Sequence, residues 1–129
     1  LNTHLTNAEL AVMDLLWNSK DRLTARRIRE VLYPDASKSQ HGTVQRLLQR
    51  LEEKGFVERD RELSIHFFSA TISRQHYAGH QLELLAEKLT AGSFTPLLTH
   101  LVDQKKITCD EIDQVRAMLN EQQGGRGRR

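Results

Sequence analysis

Apolar residues recur along most of this chain at the spacing of helices. Leu10, Met13, Leu16 and Trp17 share one face of a first helix, with Val12 and Leu15 alongside. Thr6-Asn7-Ala8-Glu9 stands before them in the order of a capping box, where hydroxyl and carboxylate reciprocally satisfy backbone donors at a helix start. Polar residues over 18–22 end the helix. Leu23 predicts a short strand, and Thr24 is placed to cap a second helix carrying Ala25, Ile28, Val31 and Leu32 on one side. Pro34 stops that helix, because the residue before a proline is pushed out of helical backbone. A short, turn-rich connection over 33–38 leads to a third helix, opening at Ser37 or Ser39, where Ser37-Lys38-Ser39-Gln40 is a second capping-box match. Its apolar stripe is Val44, Leu47, Leu48 and Leu51, and Lys54-Gly55 supplies a stop in which glycine takes a left-handed turn.

After Gly55 the period falls to that of strands. Residues 56–60 and 65–70 read as two strands joined through 61–64, a β-hairpin. Helical spacing returns from Ser73. Ala78, Leu82, Leu85 and Leu89 make one stripe, broadened by Tyr77, Leu84 and Ala86; Phe94, Leu97, Leu98 and Leu101 make another beyond Gly92. Thr108-Cys109-Asp110-Glu111 is a further capping box before a last helix with Ile112, Val115 and Leu119. Three helices followed by a hairpin is the order of a winged helix, so the predicted fold is mainly α with a small β-hairpin wing. The expected domains are a winged helix-turn-helix DNA-binding unit over 1–71, a helical dimerisation segment over 72–121 and a disordered basic tail over 122–129. The C-terminal stripes are too apolar to stand alone in water. They call for a second copy of the chain, a homodimer; one larger monomeric helical core is the alternative.

The polar side of the third helix carries the candidate chemistry. Gly42, Arg46 and Gln49 point away from its apolar stripe, with Thr43, Gln45 and Arg50 on the flanks. These side chains suit base edges and phosphates in a DNA major groove, although the same pattern also describes a solvated helix face. Charge favours the first reading: residues 22–54 hold eight lysines and arginines against four acids, whereas 72–123 hold five against seven. Base readout is therefore assigned to Gly42, Gln45, Arg46 and Gln49. Phosphate contacts are assigned to Thr24, Arg26, Lys38, Thr43 and Arg50, with Arg59 and Arg61 on the wing. Arginines on an edge strand also serve simply to discourage sheet aggregation. The dimerisation residues expected are Ala78, Leu82, Leu85, Leu89, Phe94, Leu97, Leu98, Leu101, Ile112, Val115 and Leu119.

Composition removes other classes. With 129 residues, 38% hydrophobic, the chain can build one modest core and an appended helical segment. No apolar run approaches the ~20 residues of a membrane span and no signal-peptide pattern opens the chain, so a cytoplasmic location without membrane partners is expected. Cys109 is the sole cysteine, leaving no intramolecular disulfide or cysteine-built metal cluster. It could serve as a redox sensor at a helix start or be an inert thiol. His76 and His80 share a helical face that His66 could approach, a thin basis for metal, and no metal or cofactor is expected. Glycine-rich phosphate loops and hydrolase motifs are missing, so no enzyme is expected. A winged-helix protein-interaction module, which Glu52 and Glu53 keep open, and a histidine-based metal sensor are the alternatives to a DNA-binding repressor.

From Leu5 to about Glu121 the chain resembles the penicillinase-repressor family of bacterial winged-helix transcriptional regulators, the BlaI/MecI/CopY type. The resemblance is carried by Leu5-Thr6-Asn7-Ala8-Glu9-Leu10, Val12-Met13, Leu16-Trp17, Thr43-Val44, Leu47-Leu48, Arg50-Leu51 and Lys54-Gly55, together with Gly92 and an acidic last helix. It implies a homodimeric repressor on a dyad operator in double-stranded DNA, overlapping a promoter and excluding RNA polymerase. Departures are local. Family members often carry a small hydroxyl residue where Arg46 stands and a polar or bulkier residue at the position of Gly42, implying a different base preference. The β-lactam-responsive members are inactivated by a protease at an Asn-Phe pair; His100-Leu101 stands there instead, which puts release by that protease in doubt. The paired Cys-x-Cys motifs of the copper-responsive members are missing.

Overall fold

A computed structural model describes the backbone of residues 4–35 and 38–126, and their side chains except those of 38–40 and 124–126. The elements are α1 (Asn7–Asn18), β1 (Leu23–Thr24), α2 (Ala25–Leu32), α3 (Lys38–Glu53), β2 (Val57–Asp60), β3 (Phe67–Ala70), α4 (Arg74–Thr90), α5 (Thr95–Asp103) and α6 (Cys109–Arg126). The three strands form one antiparallel sheet in the order β1-β3-β2, with Leu23 opposite Phe68 and Arg59 opposite Phe68 on the other side. This is the winged-helix arrangement. Among the described residues no helix is long and apolar enough to cross a membrane.

Local chemistry explains where elements begin and end. The Thr6 hydroxyl accepts from the Glu9 N–H while Glu9 accepts from the Thr6 N–H, closing the capping box on α1. Thr24 caps α2 by accepting from the Arg27 N–H, and Thr108 with Glu111 repeats the reciprocal cap on α6. The end of α3 is a Schellman motif: Gly55 takes φ 85°, its N–H donates to the Glu52 carbonyl, and the Phe56 N–H donates to the Leu51 carbonyl. Phe56 is thereby committed to the cap, so β2 starts at Val57 rather than at 56. Strand β3 likewise begins at Phe67, because Ile65, exposed, and His66, half-buried, belong to the connection. The N-cap expected at Ser37 lies outside the described residues.

One core holds α1, α2, α3 and the sheet together. Val12, Met13, Ile28, Val44, Leu48, Leu51 and Phe68 are all essentially inaccessible, and Leu5, Leu16, Ala25, Leu47, Phe56 and Val57 complete the cluster. Val31, expected on the inner side of α2, is exposed. At roughly 100° per residue it lies about 90° from the midline between Ala25 and Ile28, past the edge of the buried stripe. Burying seven large side chains of this kind at about 1.5–3 kcal/mol each is the main force organising the unit.

The first compact unit extends to Leu82, beyond the boundary expected at 71, and the second covers Glu83–Arg129. The start of α4 belongs to the first core. Tyr77 packs on Trp17 and Phe56 with ring centroids 5.9 and 5.7 Å apart, its hydroxyl accepts from the Leu5 N–H, and the Trp17 indole donates to the Ile72 carbonyl. The tail expected to be disordered from 122 continues as helix to Arg126. Extending an existing helix fixes one residue per hydrogen bond gained, so Gln122 and Gln123 prolong α6 without the cost of a new nucleus. The second unit has little interior: among the described residues from Arg74 onward, Ala86 alone is buried.

Candidate nucleic-acid interface

Helix α3 is divided along its length. Val44, Leu47, Leu48 and Leu51 are buried, while Gln45, Arg46, Gln49 and Arg50 are exposed on the opposite side and Gly42 and Thr43 are half-buried. Gln45 contacts His41 one turn earlier at 3.3 Å, Nε2 to Nε2, and Gln49 donates to the Glu53 carboxylate at 3.3 Å. These weak exposed contacts pre-orient the two amides without burying them. Arg46 and Arg50 form no ion pair among the described residues. A Cβ built on Gly42 meets nothing within 4 Å, so the protein's own packing does not require glycine there. The missing side chain leaves the helix backbone open to close approach from outside.

The phosphate candidates are less uniform. Arg26 is paired with Glu30 at 3.4 Å but is almost fully exposed, and the Thr24 hydroxyl oxygen is engaged in capping α2. Thr43 has an interaction partner, and the Lys38 side chain lies outside the described residues. Arg59 and Arg61 were expected to project from the wing toward DNA. The structure instead brings both onto the Glu52 carboxylate, at 3.3 and 3.2 Å. Arg59 also lies 4.8 Å from the centroid of the Phe68 ring, and its side chain is 17% exposed. Its place in β2 next to the end of α3 makes Glu52 the nearest counter-charge. Arg61, 58% exposed, keeps more freedom.

Residues that spacing did not single out shape the same region. Arg22 pairs with Asp60 and lies 4.8 Å over the Phe67 ring, tying β1 to the wing. The Glu62 N–H, with Arg22 beside it, holds the Asp60 carboxyl below its ordinary value. At the far end of α3, Lys54 reaches the buried Glu9 at 2.8 Å, linking that helix to the start of α1. Burial alone raises the Glu9 carboxyl, but Lys54 and the Thr6 N–H and O–H outweigh it and hold the group below its usual range. Neither pairing could be read from one element, since the partners stand 38 and 45 residues apart in the chain. The order of capping box and helix end was the only sequence signal, and it assigned Glu9 and Lys54 separate local tasks.

The residues expected at a dimer face are mostly uncovered in the single chain. Ala78, Leu82, Leu85 and Leu89 on α4 are exposed, as are Phe94, Leu98 and Leu101 around α5 and Val115 and Leu119 on α6; Leu97 and Ile112 are half-buried. His100-Leu101 lies within α5. Cys109 is exposed in the first turn of α6, and His76 and His80 lie on α4. Among the described residues no three metal-ligating side chains come together.

Comparison with known proteins follows the same outline. The transcriptional regulator BlaI of Mycobacterium tuberculosis is 33% identical over 128 residues, covering 98% of this chain and 91% of its own length. The methicillin resistance regulatory protein MecI of Staphylococcus aureus is 26% identical over 117 residues, covering 90% of this chain and 93% of its own. The crystal structure of MarR aligns over 98% of this chain and 82% of its own at 23% identity with a TM-score of 0.46, a similarity too low to carry an argument. The penicillinase repressor family model matches residues 5–121. With that match spanning the winged helix and nearly all of the helices that follow, the chain belongs to the penicillinase-repressor family, whose members are DNA-binding transcriptional repressors and not enzymes.

Proposed function

We propose that this protein represses transcription as a homodimer bound to a dyad operator, reading double-stranded DNA with the outer face of α3. The observation that carries the reading is the division of α3 into a fully buried apolar stripe and an exposed face bearing Gln45, Arg46, Gln49 and Arg50. Gln45, Arg46 and Gln49 face base edges, where arginine pairs with guanine and glutamine with adenine. Gly42 lets the helix start approach the groove closely. Arg50 and Thr43 hold phosphates, joined by Lys38 and by Arg26 and Thr24 at the start of α2. Arg61 reaches the backbone only by exchanging Glu52 for a phosphate, and Arg59 stays with Glu52 and Phe68.

The second copy is placed along α4, α5 and α6. Leu85, Leu89, Leu98, Val115 and Leu119 are 44–64% exposed in one chain, a concentration of apolar surface that a two-fold partner covers. The reading assigns DNA binding to the unit ending at Leu82, midway along α4, and dimerisation to the helical segment beyond it. Selection of bound duplexes from a random pool tests both parts together. A recovered dyad with half-sites roughly 34–36 Å apart, or a multiple of that spacing, is the expected result. Recovery of single asymmetric sites, or of no enriched sequence, overturns the proposal. Sedimentation at micromolar concentration is expected to give a dimer, and a compact monomer counts against it.

A further inference from the structure

We propose that Glu52 is a specificity-determining residue: by holding Arg59 and Arg61 it withholds the wing's positive charge from DNA of arbitrary sequence and widens the margin by which an operator is preferred. The proposal deepens the DNA reading given above and rests on it.

Charge around α3 is divided unevenly. Arg46 and Arg50, on the outer face of the helix, form no ion pair among the described residues. At the wing the arginines meet acids instead. Arg22 meets Asp60, and the Nη2 atoms of Arg59 and Arg61 reach the two oxygens of the Glu52 carboxylate, Oε1 and Oε2, at 3.3 and 3.2 Å. Glu52 lies in the last turn of the helix that carries Arg46 and Arg50, and its side chain is only 27% exposed. From inside the protein its carboxylate does for the wing what a phosphate would do from outside.

The two arginines are held unequally. Arg59 is also stacked 4.8 Å from the centroid of the Phe68 ring and is 17% exposed, so it has a second anchor. Arg61 is 58% exposed, and Glu52 is the acid it meets among the described residues. A guanidinium stays protonated at any working pH, so removing the carboxylate leaves full positive charge on the wing, with Arg61 in reach of an external phosphate.

That charge matters more on random DNA than on an operator. Binding to arbitrary sequence is almost wholly electrostatic, and the protein can shift and turn until each available cation finds a phosphate. On an operator, base contacts from Gln45, Arg46 and Gln49 fix one pose, and the wing meets only the phosphates which that pose brings to it. An acid at position 52 therefore weakens random binding more than operator binding and raises the ratio between them.

The full chain and Glu52→Gln are compared by quantitative gel shift at about 0.1 M salt, on the selected operator and on random duplex. Random binding is expected to tighten about tenfold, roughly the effect of one further phosphate contact at that salt, and operator binding by less than about threefold. Equal tightening on the two duplexes, or no change on random duplex, overturns the proposal. A merely structural tie between α3 and the wing would move the urea midpoint and both affinities together, leaving their ratio unchanged. Arg61 supplies a variant that does not depend on how Glu52→Gln folds. In the parent, Arg61→Gln is expected to change random binding by less than about threefold, because that charge is already held; a greater loss shows Arg61 acting on phosphates despite Glu52 and overturns the proposal. In the Glu52→Gln chain the same substitution is expected to reverse at least about threefold of the gain, and persistence of the whole gain overturns it. If the parent binds no duplex, the repressor reading fails and takes this proposal with it. An operator bound tightly with the ratio unmoved sinks this proposal alone.

Discussion

Replacing Lys54 with methionine keeps an apolar stem and removes the ammonium that faces Glu9. The Glu9 side chain is 1% exposed; its Oε1 accepts from the Thr6 N–H at 2.9 Å and from Lys54 at 2.8 Å, and its Oε2 has no hydrogen-bond partner among the described residues. Stranding one charge of a buried pair costs about 3–5 kcal/mol. Lys54 is itself 23% exposed, so water screens one end of the pair. With that discount, Lys54→Met is expected to lower stability by about 2–3 kcal/mol at pH 7. The dependence on pH has a definite sign. In the parent, the Glu9 carboxyl is held below the ordinary value of 4.5, so its contribution is complete above that pH and is lost as pH falls through the folded pKa. Without Lys54 the opposing effect of burial gains weight, and protonation relieves the stranded charge. The stability difference between parent and variant therefore shrinks as pH falls through the raised pKa of the variant's Glu9 toward the lowered one of the parent. Urea unfolding followed by Trp17 fluorescence, at fixed chain concentration and several pH values, measures it. A deficit under about 0.5 kcal/mol at pH 7, or one that is equally large at pH 3.5, refutes the reasoning. Adding Glu9→Gln to Lys54→Met should restore part of the loss, because an amide oxygen still accepts from Thr6 and needs no counter-ion.

Four further outcomes are expected. Arg46→Ala should cost about 1–3 kcal/mol on the selected operator in a quantitative gel shift and relax its sequence preference, with little effect on random duplex. Gly42→Ala should raise stability by about 0.5–1 kcal/mol in urea, since the new methyl meets open space, while lowering operator affinity by blocking close approach of DNA. Glu52→Gln releases the charges of Arg59 and Arg61, so binding to random duplex should tighten and the slope of log K against log salt should steepen by about 1–2. Leu89, 64% exposed on α4, is the site for a charge at the dimer face: Leu89→Glu should shift sedimentation toward monomer by at least about tenfold in dissociation constant, with the urea midpoint of the first unit unchanged.

Much of the fold was open to inspection in the sequence because its determinants are local. Capping at Thr6, Thr24 and Thr108, the stop at Gly55 and the stripes of α1 and α3 depend on residues within a turn or two of one another, so spacing alone carries the signal. The outer face of α3 was readable for the same reason: once Val44, Leu47, Leu48 and Leu51 are inside, Gln45, Arg46 and Gln49 have nowhere else to point. Wing charge and domain extent were not legible in this way. Arg59 and Arg61 looked available to phosphate until α3 and β2 met at Glu52. The start of α4 looked like the next domain until Tyr77 was seen against Trp17 and Phe56. Glu9 and Lys54 each had a sufficient local explanation, which concealed their pairing across the core. Helix boundaries and faces were thus determined by short-range hydrogen bonding and periodicity, which a linear chain encodes directly. Which charges remain free to meet a ligand was decided only by tertiary packing, because a counter-ion depends on distance in space and the fold brings together residues that the chain keeps apart.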